Sequence, residues 1–200
     1  MMTQQNQPTR RARERILDAA AEVMRRDGLV HATTKQIARE AKCSEALLYK
    51  HFPDKRDIFL SVLAERSAGL GLPSEMAGTA TVRENLVELT AKLIIFYQEN
   101  FPMAASIFGS TELLRAHREA MQRRGVGPHA VAAAVERYLV EEAQLERVDA
   151  TAIDTGAVAR LLTGAALHEA FLATYAAETL EHPRETAQRL VDSVNLRDTI

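Results

Sequence analysis

The chain has one cysteine in 200 residues and no tryptophan, and aromatic residues make up only 5%. A lone cysteine cannot close an intrachain disulfide, and it suits a reducing cytoplasm, where the protein is expected to reside. Glycine (9) and proline (6) are scarce as well, so few residues interrupt a helix. Ala, Leu, Glu and Arg dominate instead, which predicts an all-α fold. No strand pattern, internal repeat or low-complexity segment is visible. No run of eighteen apolar residues occurs, so no membrane span is expected. The opening "MMTQQNQPTRRARER" lacks the apolar core of a signal peptide, which argues against export. An apolar fraction of 46% and a charged fraction of 26% are enough for one folded domain or two small ones.

Catalytic and metal chemistry are also missing. The histidines are His31, His51, His117, His129, His168 and His182, and none pair at metal-ligand spacing. "HEAFLA" at His168 lacks the second histidine of a zinc-binding helix. Ser44 and His51 share a short segment that supplies no nucleophile–base geometry. There is no phosphate loop. The sequence therefore predicts no enzyme, no cofactor and no metal site.

What is present is uneven charge. Residues 1–66 carry 13 Lys/Arg against 9 Asp/Glu, a balance of +4, whereas residues 67–200 carry 12 against 18, a balance of −6. Basic character in the first part points to a nucleic-acid or acidic partner.

The chain divides into three parts: a polar, flexible arm at 1–9, a helical unit at 10–66 and a longer helical region at 67–200. A first helix from Arg10 carries Ile16, Ala20 and Val23 at three- and four-residue steps. It stops at Gly28 after the basic Arg25 and Arg26. Thr33 and Gln36 form a capping box for a short second helix, with Ile37, Ala38 and Ala41 inward. Lys42 and Cys43 make a break, Ser44 caps a third helix at 45–51, and Asp54 caps a fourth. "GLGLPSEMAGTA" (69–80) reads as a loop. Further helices are predicted at 81–100, at 102–124 with a bend near Gly109, and at 128–143, 151–177 and 184–196, the last with Pro183 in its first turn.

Two short helices around a tight break are the helix-turn-helix pattern, whose second helix enters the DNA major groove. Leu47 and Leu48 are adjacent and cannot both face inward. Leu48 is the core residue, leaving Glu45, Ala46, Leu47, Tyr49 and Lys50 toward the groove.

The segments "RERILDAAAEVMRRDG" and "TTKQIAREAKCSEALLYKHFPDKRDIFLSVL", with the spacing between them, resemble the DNA-binding domain of TetR-family transcriptional regulators. The resemblance implies an N-terminal three-helix DNA-binding domain joined by a shared helix to a C-terminal ligand-binding and dimerisation domain. It implies a homodimer on a double-stranded operator, a repressor released by a small apolar or amphipathic effector. Thr34, Tyr49, His51 and Lys55 would contact phosphate, and Lys35 a base or phosphate. Glu45, Ala46 and Lys50 would read bases, with Ser44 and Leu47 in the same surface. Arg10, Arg11 and Arg13 would act as a basic arm. Two departures stand out. Lys42 takes the place of a turn glycine, at a cost of about 1 kcal/mol in left-handed backbone. Leu47 replaces a common threonine and would meet a thymine methyl instead. Cys43 reads as a small buried hydrophobe rather than a redox sensor.

In the region 67–200, the small residues of "TGAVARLLTGAALHEAFLATYA" suit either a dimer interface or ordinary core packing. The effector pocket is expected among Phe96, Tyr97, Phe101, Met103 and Phe108, with Met121, Tyr138, Phe171 and Tyr175, and with His117 and His168 as polar groups. The rival reading is a ligand-independent helical DNA-binding or protein-interaction module on the same fold.

Overall fold

The computed structural model describes residues 6–65, 76–123, 127–149 and 151–194, apart from the side chains of 6–9, 63 and 64. The described residues form helices α1 (Asn6–His31), α2 (Thr34–Glu40), α3 (Glu45–His51), α4 (Lys55–Glu65), α5 (Val82–Phe108), α6 (Thr111–Arg123), α7 (Ala130–Gln144), α8 (Thr155–Tyr175) and α9 (Pro183–Asp192). They contain no helix long and apolar enough to cross a membrane. The chain divides into two compact units, Met1–Ala68 with Pro102–Gly127, and Gly69–Phe101 with Pro128–Ile200.

The first unit is built around α1. Ile16, Leu17, Ala20, Val23 and Met24 form its buried stripe. Against it lie Ile37 and Ala38 of α2, Leu48 of α3, and Ile58, Phe59 and Val62 of α4. Fully burying each large aliphatic side chain contributes about 1.5–3 kcal/mol. Polar contacts at the surface add alignment more than energy. Arg13 makes a two-pronged ion pair with Glu65 (2.8 and 2.6 Å) and lies over the Phe52 ring, 5.3 Å from its centroid. Arg15 donates to the Ala41 carbonyl at 2.9 Å.

This unit reaches beyond residues 10–66. Met103 and Ile107 of α5 are buried in the same core, and Leu113 and Leu114 of α6 pack against it. Residues 102–127 therefore fold with the helix-turn-helix, where the sequence had assigned them to the second domain. The reason is long-range packing, which a linear division at the glycine-rich loop does not register. Gly28 lets the chain approach this segment. Its backbone (φ 73°, ψ 166°) ends the regular helix of α1, and the following Leu29 N–H donates to Ser106 Oγ at 3.1 Å. Ser106 in turn donates to the Pro102 carbonyl at 2.9 Å.

Several boundaries differ from expectation. Helix α1 begins at Asn6, so residues 6–9 of the expected arm are helical, and residues 1–5 lie outside the described ones. Helix α5 continues through Pro102 to Phe108 instead of ending at 100. Proline removes one backbone bond, but the turns after it carry Met103 and Ile107 into the core. The next break falls at Gly109 and Ser110, as the expected bend suggested. Helix α8 runs from Thr155 to Tyr175 rather than from 151 to 177, and Asp154 caps it by accepting the Ala157 N–H at 2.8 Å. Residues 195 and 196 of the last expected helix lie outside the described residues.

The second unit packs the first part of α5 with α7, α8 and α9 around Leu86, Leu93, Ile94, Leu139, Leu162 and Val191. Thr81 and Glu84 form a capping box at the start of α5, and the Thr81 hydrogen bonds hold the Glu84 carboxyl below its usual range. The loop before it is fastened from inside. Asn85 Nδ2 donates to the Met76 and Thr79 carbonyls at 3.0 and 3.1 Å. Glu142, fully buried, accepts the Gly78 N–H at 3.3 Å and pairs with Arg147 at 3.0 Å. Arg147 also donates to the Thr79 and Ala80 carbonyls.

Candidate nucleic-acid interface

Local rules position α2 and α3. The Gln36 N–H donates to Thr33 Oγ1 (3.2 Å), and Gln36 Oε1 accepts the Thr33 N–H (2.8 Å), completing the expected capping box. The helix ends in a Schellman motif, in which Cys43 N–H donates to the Ala38 carbonyl (2.9 Å) and Lys42 N–H to that of Arg39 (3.1 Å). Such an ending needs a left-handed residue, and Lys42 supplies it with φ 51°. Lys42 is exposed, so its side chain meets solvent rather than the core. Cys43 packs against the core of the first unit, and burial pushes its thiol above the usual range. A protonated, half-buried thiol is a poor nucleophile, which matches a packing role.

Ser44 then caps α3 by accepting the Leu47 N–H at 3.1 Å. Of the residues on α3, only Leu48 is buried, and the Phe52 that follows ends the helix in the core. Glu45, Ala46, Tyr49 and Lys50 are exposed, while Leu47 and His51 are half-buried. Lys35 is exposed near the start of α2, and Thr34 is half-buried beside it. The side chains expected to meet DNA thus lie exposed or half-buried on α2, α3 and the turn between them, with Lys55 at the start of α4.

Three of its members are tied to one another. The Thr34 hydroxyl donates to Glu45 Oε2 at 3.0 Å, and the Tyr49 hydroxyl reaches Thr34 Oγ1 at 3.4 Å. Sequence reasoning treated these as separate contacts. No periodicity exposes a link between residues eleven and fifteen positions apart on different helices. Lys55 lies with its ammonium 5.0 Å from the centroid of the Phe59 ring. Arg10 and Arg11 are exposed on the regular helix α1, whereas Arg13 is held by Glu65 and Phe52 and is not part of a loose arm.

The expected effector residues are spread over both units. In the first, Met103 is core, Phe108 is 75% exposed, and His117 and Met121 are half-buried on α6. Among the described residues His117 Nδ1 has no hydrogen-bond partner, and burial holds the imidazole below its usual range, favouring the neutral form. In the second unit Tyr138 is buried, and burial first of all raises its phenol well above the ordinary range. Phe96 and Tyr97 are half-buried and meet edge to face at 5.6 Å. Phe101, Phe171 and Tyr175 form a row at 5.8 and 6.0 Å, with Tyr175 83% exposed and His168 exposed beside them. Among the described residues no group of three or more His, Cys, Asp or Glu is placed to hold a metal ion.

Comparison with known proteins bears on the first unit most strongly. Residues 16–62 match the family described as bacterial regulatory proteins, tetR family. The nucleoid occlusion factor SlmA of Marinobacter nauticus is 30% identical over 125 residues, 62% of this chain and 62% of that protein. The HTH-type transcriptional regulator SrpR of Pseudomonas putida is 43% identical over 60 residues, 30% of this chain and 28% of that one. The chain therefore spans less than two thirds of the length of these curated relatives. A solved structure of the transcriptional regulator FadR from Bacillus subtilis, in complex with stearoyl-CoA, superposes with a TM-score of 0.61 at 16% identity, covering 90% of this chain and 96% of that one. The last likeness shows the all-helical fold. The matched segment, residues 16–62, is the helix-turn-helix with its caps and its left-handed turn in place, and it is this part of the chain that is similar to the tetR family of bacterial regulatory proteins.

Proposed function

We propose that the protein is a sequence-specific DNA-binding transcriptional regulator, a homodimeric repressor of the cytoplasm that leaves its operator when a small apolar or amphipathic effector binds. The observation that carries this reading is the outer face of α3. Its one buried residue, Leu48, anchors the helix, and Glu45, Ala46, Tyr49 and Lys50 are exposed on its outer side, where base edges would lie. An α-helix fits the major groove, and Lys to guanine and a carboxylate to cytosine N4 are chemically matched pairs. Thr34, Lys35, Ser44, Leu47, His51 and Lys55 complete the surface as backbone and apolar contacts.

Dimerisation through α8 has its own support. Leu161 (64% exposed), Gly164, His168, Phe171 (43%) and Tyr175 follow one another at three- and four-residue steps on its outward face. A side chain added at Gly164 would meet nothing within 4 Å among the described residues, which leaves room there for a partner. An apolar stripe of this kind suits a second copy. For the effector, support comes from the FadR structure, whose ligand stearoyl-CoA is amphipathic. The effector would act by favouring a different spacing of the two recognition helices, with a coupling of about 1–3 kcal/mol.

The likeness to a nucleoid occlusion factor favours one second reading, a DNA-binding or interaction module without effector control. Selection from randomised duplexes, with and without candidate effectors, separates the two. The first reading expects a palindromic site whose halves lie about 10–10.5 base pairs apart and whose binding an effector abolishes. Salt-sensitive binding that ignores sequence would overturn it.

A further inference from the structure

We propose that Glu45 is the specificity gate of the α3 face, holding the Thr34 hydroxyl away from phosphate until a base amino group takes its place. The inference rests on the DNA-binding reading above and adds a coupling between two of its contacts. Thr34 and Tyr49 stand where phosphate clamps were expected, yet both hydroxyl protons are directed within the protein. Thr34 gives its proton to Glu45 Oε2 at 3.0 Å, and Tyr49 directs its own to Thr34 Oγ1 at 3.4 Å. A hydroxyl has one proton, and a phosphate oxygen only accepts. Thr34 can therefore bind phosphate only after leaving Glu45.

The carboxylate has a second effect. It is exposed on a surface otherwise carrying Lys35 and Lys50, and among the described residues its hydrogen-bond partner is a neutral hydroxyl. An ionised carboxylate accepts hydrogen bonds and cannot donate. Poses that rely on phosphate alone bring it toward negative charge. In the major groove the donors are cytosine N4 and adenine N6, while guanine O6 and N7 and thymine O4 only accept. A base amino group that seats on Glu45 Oε2 competes with the Thr34 proton there, and Thr34, once released, turns to phosphate with Tyr49 following. A pair oriented to present guanine or thymine at this point offers the carboxylate no base donor, so Thr34 stays on Glu45 and the hydroxyls remain withdrawn. Base readout and backbone clamping are thereby joined in one step.

The test compares wild type, Glu45→Ala, Thr34→Val and the double variant. All would be titrated against the duplex that wild type selects and against a random-sequence duplex, at several salt concentrations. All three variants change residues outside the core, and helicity measured by circular dichroism checks that the fold is kept. Glu45→Ala, which removes the acceptor of the Thr34 proton, is expected to tighten binding to random duplex and to lower the ratio of specific to random affinity by about tenfold or more, through lost preference at one base pair per half-site. Thr34→Val is expected to weaken the selected site alone in wild type, but both duplexes in the Glu45→Ala background. An unchanged specificity ratio in Glu45→Ala, or a Thr34→Val effect that is the same in both backgrounds, overturns the gate while leaving DNA recognition intact. A wild type that selects no site overturns the DNA reading and the gate together.

Discussion

Gly28→Ala is the perturbation whose cost follows most directly from backbone geometry. At φ 73° and ψ 166°, Gly28 sits in a region essentially reserved for glycine. Holding an alanine there costs about 1–3 kcal/mol. The added Cβ would also stand 3.2 Å from Ser106 Oγ and 3.5 Å from the Pro102 carbonyl, tighter than ordinary contact at the first. Alanine restricts the unfolded chain and returns about 0.4–1 kcal/mol. The net expectation is a loss of about 1–2 kcal/mol, from strain that exceeds the entropic gain. Ser106 is the acceptor for the buried Leu29 N–H, so Ser106→Ala should cost about 1–3 kcal/mol on its own. Because the two sites touch, the double variant should lose less than the sum. Urea unfolding followed by circular dichroism measures all three, with a lower midpoint and an unchanged slope expected for Gly28→Ala. A Gly28→Ala variant as stable as wild type, or more so, would refute the assigned backbone conformation and with it the fastening of Leu29 to Ser106.

Three further predictions concern other parts of the chain. Glu142→Ala removes the partner of Arg147, whose side chain is about a quarter exposed (28%), and should destabilise the second unit by about 2–4 kcal/mol in urea unfolding. Replacing both residues by methionine should restore most of that loss, and a double variant as unstable as Glu142→Ala would count against the pair. Cys43, with its thiol pushed up by burial, should react with iodoacetamide more slowly than a free thiol at neutral pH, and its rate should still be climbing above pH 9. Gly164→Trp should leave helicity unchanged, since among the described residues nothing lies within 4 Å of the added Cβ, yet lower the dimer fraction in sedimentation equilibrium. A variant that dimerises like wild type would move the interface off this face.

The parts of the fold that local chemistry decides were legible in the sequence. Thr33 with Gln36, Ser44 and Asp54 cap where a hydroxyl or carboxylate precedes an apolar period, and each hydrogen bond is present. Lys42 was recognisable as an outsider in a left-handed position, and Leu48 as the buried member of its pair. The departures all arise from long-range contacts. Pro102 looked like a helix boundary because its cost is local, while the burial of Met103 and Ile107 that outweighs it is not. For the same reason residues 102–127 fold with the first unit, and four expected effector residues, Met103, Phe108, His117 and Met121, lie there. Within the surface proposed to face DNA the residues were nameable one at a time. Their connection from Tyr49 through Thr34 to Glu45 depends on how α2 and α3 cross, which no spacing encodes.

The measurement that bears most directly on DNA reading by α3 is the base-by-base affinity profile of Lys50→Ala on the site selected by wild type. Lys50 is exposed, so its removal leaves the fold unaltered. If α3 reads bases through this residue, discrimination disappears at one base pair in each half-site, by about 1–3 kcal/mol, and stays unchanged elsewhere. Equal weakening of every sequence, with a shallower salt dependence, would contradict base reading by Lys50 and make it a phosphate contact.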